Sequence, residues 1–164
     1  MMADEKIKNS NELEFAVFCI ENVAAKLGVD AERVYQAFTE KSDILNGYIV
    51  PEYEVLHTQS REYIVDDLLD VMKERGLEIT PFNGNIQSKK SSAMTANPIL
   101  LQKKYSRVIE CFAKQQGLSL DAALDFFYHS EVYQLIRDGV SDMHCMSDAY
   151  LVDKLEQEYN QNME

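Results

Sequence analysis

The sequence predicts a mainly α-helical protein made of two repeated small helical units packed as a pseudo-twofold pair, with a short extended segment in the first unit. Three observations carry this expectation. Apolar residues recur at helical spacing along most of the chain. Glycines and capping residues punctuate those stretches at matching places. A twelve-residue pattern also occurs twice, and such internal similarity is the first thing to seek in a sequence. His57-Thr58-Gln59-Ser60-Arg61-Glu62-Tyr63-Ile64-Val65-Asp66-Asp67-Leu68 aligns with His144-Cys145-Met146-Ser147-Asp148-Ala149-Tyr150-Leu151-Val152-Asp153-Lys154-Leu155, sharing His-x-x-Ser-x-x-Tyr-apolar-Val-Asp-x-Leu.

The alignment continues upstream. Ile20-Glu21 matches Ile109-Glu110, Ala24 matches Ala113, Gly28 matches Gly117 and Phe38 matches Phe127, with a two-residue length difference between Phe and His. The repeats cover about residues 10–79 and 98–164, and the domains are drawn as 1–79, a linker at 80–97, and 98–164. Thr80-Pro81-Phe82-Asn83-Gly84-Asn85 and Ser88-Lys89-Lys90-Ser91-Ser92-Ala93 have the polar, Pro/Gly/Ser chemistry of a linker. Met94-Thr95-Ala96-Asn97-Pro98 reads like a second chain start, as in a fusion of natural or engineered origin.

In the first unit a helix is expected from near Asn11, where Glu14 three residues on makes a capping-box-like start. Leu13, Ala16, Val17, Ile20, Ala24 and Leu27 form its apolar stripe, and Gly28 stands where a C′ glycine ends a helix. Asp30 is the expected N-cap of a second helix reaching about Thr39. Tyr48 to Leu56 reads as extended, because Pro51 forbids an ordinary helix interior. The last helix starts at Ser60 with Tyr63, Ile64, Leu68 and Val71 inward.

The second unit opens with a stripe of Leu101, Tyr105, Val108, Ile109 and Phe112, stopped by Gly117. Ser119 caps the next helix, and Glu131 to Arg137 forms another that ends at Gly139. Ser147 caps the final helix, with Tyr150, Leu151, Leu155 and Tyr159 inward. Each unit is small for an independent core, which is why the two are expected to pack together.

Composition narrows the function. Of 164 residues, 46% are hydrophobic and 27% charged, matching a globular chain rather than a disordered one. The sequence has no apolar run long enough to span a bilayer and no apolar core after Met1-Met2-Ala3-Asp4-Glu5-Lys6 to act as a secretory signal. The cysteines, Cys19, Cys111 and Cys145, are odd in number and form no Cys-x-x-Cys pair, which points to a reducing, cytoplasmic home. A formal net charge of −12 disfavours nucleic acid and suits a basic protein partner, although acidity also serves solubility.

The residues with the most chemistry are His57, Thr58, Gln59, Ser60 and Tyr63, and in the second unit His144, Cys145, Ser147 and Tyr150. Imidazole, hydroxyl and phenol near a helix N-terminus can hold an anion or a polar group of a partner. The structural alternative assigns the serines to N-caps, the tyrosines to the core with a wet hydroxyl, and the histidines to the preceding loop. Acid–base or nucleophilic chemistry ranks last, and no catalytic residue or cofactor is expected. His129 and His144-Cys145 are too few and too scattered for zinc, and Thr58 stands where Cys145 would be needed, so no metal is expected. Ala24-x-x-x-Gly28-Val29-x-x-x-x-Val34 has helix–turn–helix spacing, yet Asp30, Glu32 and Glu40 surround Arg33, and Ser119 to Asp125 holds no cation. Phosphate-loop, dinucleotide-loop and His-Glu-x-x-His motifs do not occur. The pairs Asp66-Asp67 and Glu52/Glu54 read as solvated faces, and the nine tyrosines suit either a protein interface or an ordinary core boundary.

Glu14-Phe15-Ala16-Val17-Phe18-Cys19-Ile20-Glu21-Asn22, Tyr48-Ile49-Val50-Pro51 and Val55 to Asp67 resemble the bacterial family Domain of Unknown Function three-seven-nine-one. Asp125-Phe126-Phe127-Tyr128-His129-Ser130 and Ser141 to Asp148 resemble a divergent branch of it, so the resemblance spans nearly all the chain outside the linker. Members are commonly encoded beside proteins resembling ADP-ribosyltransferase toxins. The resemblance therefore implies a non-catalytic protein-binding module, antitoxin-like or chaperone-like, with an ADP-ribosyltransferase-like partner. A helix–turn–helix-like or phage-related regulator is the alternative. Thr58→Cys145, Gln59→Met146 and the missing Pro51 counterpart set the second unit apart.

Overall fold

A computed structural model describes residues 7–77, 98–138 and 147–162, and the described residues are mainly helical, without strands. The linker and Gly139, His144, Cys145 and Met146 lie outside the described residues. The chain divides into two compact units, Met1–Glu14 with Ala96–Glu164, and Phe15–Thr95. The first turn of the first helix thus belongs with the C-terminal unit.

Helix α1 (Ser10–Leu27) starts one residue before the expected Asn11. Asn9 is the cap: its Oδ1 accepts the Glu12 amide at 2.9 Å, and the Glu12 carboxylate accepts the Lys8 amide at 2.9 Å. The pair that closes the helix start is therefore Asn9/Glu12, two residues upstream of Asn11/Glu14, with Glu12 reaching back to the Lys8 amide rather than to that of Asn9. An amide side chain and a carboxylate three residues apart recur here, and hydrogen bonding selects the earlier pair.

Gly28 ends α1 with φ +72°, and the Val29 amide returns to the Ala24 carbonyl at 3.1 Å. Gly117 does the same after α5 (Pro98–Gln116), with φ +69° and the Leu118 amide on the Ala113 carbonyl at 2.8 Å. Any side chain would be strained at these angles. Ala24 and Ala113, which receive the return bonds, are both buried.

In the unit Phe15–Thr95, α2 (Ala31–Thr39) follows Asp30, whose carboxylate makes no cap hydrogen bond. The chain then forms a π-helical turn, Leu45–Ile49, and α3 (Tyr53–Leu56), and these replace the expected extended segment. Pro51 sits between them, exposed. It removes one donor and crowds the carbonyl four residues back. The preceding turn is widened, with the Val50 amide on the Leu45 carbonyl at 3.0 Å, and the Tyr53 amide reaches Val50. Proline interrupts a continuous helix here without forcing the chain straight. Within the turn Asn46 Oδ1 is buried and has no hydrogen-bond partner among the described residues.

Helix α4 (Arg61–Glu74) buries Ile64, Val65, Leu68 and Met72. Tyr63 is not part of this stripe; it is 53% exposed. Asp67, read as solvated, accepts the Tyr48 hydroxyl at 2.5 Å and ties the π-helical turn to α4. Arg75 pairs with Asp43, closing the other end.

In the other unit, α5 packs on α6 (Leu120–His129) and α8 (Asp148–Asn162), and α7 (Glu131–Asp138) packs on α6 and α8. Tyr105, Phe127, Tyr128 and Tyr133 form an aromatic core, with Tyr128 and Tyr133 centroids 4.9 Å apart. Phe112, Phe126 and Tyr159 form a second group. The α6–α7 corner is a single residue, the buried Ser130, whose hydroxyl accepts the Tyr133 amide and donates to the Phe127 carbonyl. Glu158 of α8 accepts the Glu131 amide at 2.9 Å, placing a carboxylate on the positive end of α7.

Deleting a stripe residue and an outward residue of α4 separates these roles. Leu68→Ala is expected to cost about 2–5 kcal/mol, as core truncations do. Tyr63→Ala is expected to stay within about 0.5 kcal/mol. Urea midpoints at unchanged slope measure both; equal losses would return Tyr63 to the core.

Candidate functional site

The best candidate surface is the connection from α3 to α4. His57 closes α3, and its ring lies 4.3 Å from that of Tyr53, nearly parallel, with Nδ1 2.7 Å from the Tyr53 carbonyl oxygen. Tyr53 in turn meets the edge of Phe15, centroids 5.5 Å apart. Thr58 Oγ1 donates to the Val55 carbonyl at 3.0 Å, and the Gln59 amide donates to Leu56. Ser60 Oγ accepts the Tyr63 amide at 3.1 Å and caps α4. All five sequence-predicted residues of this segment are exposed.

The head of α8 repeats the last step. Ser147 Oγ accepts the Tyr150 amide at 3.1 Å, and Tyr150 is 41% exposed. The expected inward place for Tyr150 is therefore corrected as for Tyr63; Leu151, Val152 and Leu155 are buried instead. A capping serine fixes the third residue of the helix, and in both helices the next two residues open the apolar stripe. The tyrosine is thereby turned outward. Lys154 Nζ lies 5.5 Å from the Tyr150 ring centre. His144 and Cys145 fall outside the described residues.

Asp148, the first residue of α8, is held by Arg107 Nε at 2.7 Å and Lys104 Nζ at 3.1 Å from α5. The Arg107 hydrogen bond, against some burial and with Lys104 adding, lowers the Asp148 carboxyl below its ordinary 3.8. Burial, followed by the hydrogen bond to Asp67, raises the Tyr48 phenol well above its usual range. Burial also raises the Cys19 thiol, in keeping with an inert apolar role.

Sequence reading missed Val55, which is 59% exposed beside this segment, and the stacking of His57 on Tyr53. Hydrophobicity alone places a valine inside, and no periodic signal marks a four-residue helix. A concavity of about 390 Å³ is lined in part by Lys8, Ser10, Glu110, Lys114 and Ser119. Its polar groups already have work: Ser10 donates to Glu110, the Ile7 amide donates to Asp121, and Ser119 caps α6. Among the described residues no cluster of three His, Cys, Asp or Glu side chains could hold a metal, and no helix is long and apolar enough to cross a membrane.

Residues 14–75 match the family model described as Protein of unknown function (DUF3791), so this stretch carries one unit of that family. The match includes α2, α3, α4 and α1 from Glu14 onward, and hence the Tyr53–His57–Ser60–Tyr63 corner. No curated protein and no solved structure matches the chain.

Two outcomes follow from this geometry. Ser60→Ala and Ser147→Ala are each expected to lower stability by about 1 kcal/mol, with glycine replacements losing less; chemical denaturation checks this. Asp148→Asn should lower stability near neutrality. The lost contribution belongs to the ionised carboxyl, so the gap to the parent should persist above 3.8 and close as pH falls through the lower folded-state value. A gap constant down to pH 2 would remove Asp148 as its source.

Proposed function

We propose that the chain is a non-catalytic protein-binding module whose contact surface is the α3–α4 corner, with a divergent counterpart at the head of α8. The carrying observation is that Tyr63 and Tyr150 each follow a capping serine and each face solvent. Tyrosine offers large contact area with little side-chain entropy to lose, and it is enriched in protein interfaces. The hydroxyls of Ser60 and Ser147 and Nδ1 of His57 have structural work, which favours recognition over acid–base chemistry.

The internal repeat supports reading the second unit as a divergent copy of the first, at work in the cytoplasm. The partner class inferred from the family resemblance is an ADP-ribosyltransferase-like protein, which the chain would neutralise or chaperone. The regulatory alternative draws less support: α2 carries a single cation, Arg33, and groove reading needs several cations or amides.

Co-expression with an ADP-ribosyltransferase-like protein encoded beside it is expected to give a stoichiometric complex on size exclusion. Tyr63→Ala with Tyr150→Ala should weaken that complex by tenfold or more, the range of interface hot spots. Separate elution of the two parent proteins would refute this partner.

A further inference from the structure

The outward face of α4 carries a pattern found on none of the other described helices. Glu62, Asp66, Asp70 and Glu74 follow one another at i, i+4 spacing, and all four are exposed. At about 100° and 1.5 Å per residue the row runs about 18 Å and stays opposite the buried Ile64, Leu68 and Met72. Like charges at this spacing repel. The chain does little to relieve them: Arg61 lies 3.8 Å from Glu62, and Asp66, Asp70 and Glu74 form no ion pair among the described residues.

Several carboxylates elsewhere are matched to cations or helix ends. Glu14 meets Lys103, Glu110 meets Lys114, Asp148 meets Lys104 and Arg107, and Glu158 caps α7. At the head of the unmatched row stands the exposed Tyr63, with exposed Val55 on the preceding helix. These are two of three large hydrophobic side chains left exposed among the described residues; the third is Tyr150.

We propose that this face takes a basic amphipathic helix of the partner protein, whose Lys and Arg side chains meet the α4 carboxylates while its apolar line covers Tyr63 and Val55. The inference deepens the protein-binding reading and rests on it. Charge complementarity selects the occupant: nucleic acid and anionic lipid are repelled by the same row. The length of about three turns fits a helix laid alongside, with cations repeating at the same spacing.

The test uses the full chain and two synthetic amphipathic peptides of about 18 residues, one Leu/Lys and one Leu/Glu, followed by fluorescence anisotropy at about 50 and 300 mM salt. The Leu/Lys peptide is expected to bind and the Leu/Glu peptide not to. Asp66→Lys with Asp70→Lys, Asp66→Asn with Asp70→Asn, and Tyr63→Ala should each weaken binding about tenfold or more. Asp153→Lys with Glu156→Lys on α8 makes the same charge change as the first pair and should shift binding no more than about twofold. Equal loss in both lysine pairs, or no loss in the α4 variants, overturns the proposal and leaves general acidity as the cause. Circular dichroism checks that each variant is folded. A photo-crosslinker at position 63, in co-expression, separates the two readings. A crosslink to the ADP-ribosyltransferase-like protein together with row-insensitive peptide binding keeps the module and discards the basic-helix chemistry. Row-dependent binding without a crosslink keeps the chemistry and discards that partner.

Discussion

The hydrogen bond from the Tyr63 amide to the Ser60 hydroxyl sets where α4 begins, and the position of that beginning decides what α4 shows to solvent. Once the first turn is anchored, side-chain direction follows from the helical repeat. Ile64, Val65, Leu68 and Met72 fall on one side, and Tyr63, Asp66 and Asp70 on the other. Starting the helix one residue later would rotate the stripe by about 100° relative to the cap and expose leucine and isoleucine in place of acids. The short connection His57 to Ser60 reinforces the choice, since Thr58 and Gln59 each bond back to α3.

The same device recurs at Ser147, with the same 3.1 Å bond and the same outward tyrosine, although most surrounding side chains differ. Arg61 gives way to Asp148, and the electrostatics change with it. In the first unit the head of the helix carries a cation that barely touches its neighbour Glu62, at 3.8 Å. In the second, an acid sits on the positive helix end and draws Lys104 and Arg107 from α5. The backbone arrangement is shared, whereas the charges around it are particular to each unit.

Helix ends and stripes were legible in the sequence because they rest on local rules. Gly28, Gly117, Ser60, Ser119 and Ser147 all occupy the expected terminal positions, and four members of the expected α5 stripe, Tyr105, Val108, Ile109 and Phe112, are buried, with Leu101 half-buried. The misread places share a different cause. Tyr63 and Tyr150 are apolar enough to extend a stripe, but whether a stripe is four or five positions wide depends on packing. Pro51 argues against a helix only when its neighbours insist on regular hydrogen bonds, and here a widened turn accommodates it. Asp67 differs from Asp66 by one position, which moves it to the flank where Tyr48 waits. Of the candidate site, the capping serines could be read directly; the exposure of the tyrosines and of Val55 could not.

The acid row gives α4 a conflict that packing must resolve. Three like-charged i, i+4 pairs each cost roughly 0.2–0.5 kcal/mol in an isolated helix, and a fourteen-residue helix is already marginal alone. Burial of Ile64, Leu68 and Met72 supplies far more, at about 1.5–3 kcal/mol per side chain. The helix therefore persists because of its inner face while its outer face remains electrostatically unsatisfied. A cationic surface laid on α4 would relieve that repulsion and shield Tyr63 in one step, so the local cost in the free protein becomes part of the driving force for association. The reciprocal consequence is that an occupied face should stabilise the helix, and the fold that depends on it, by the free energy of binding.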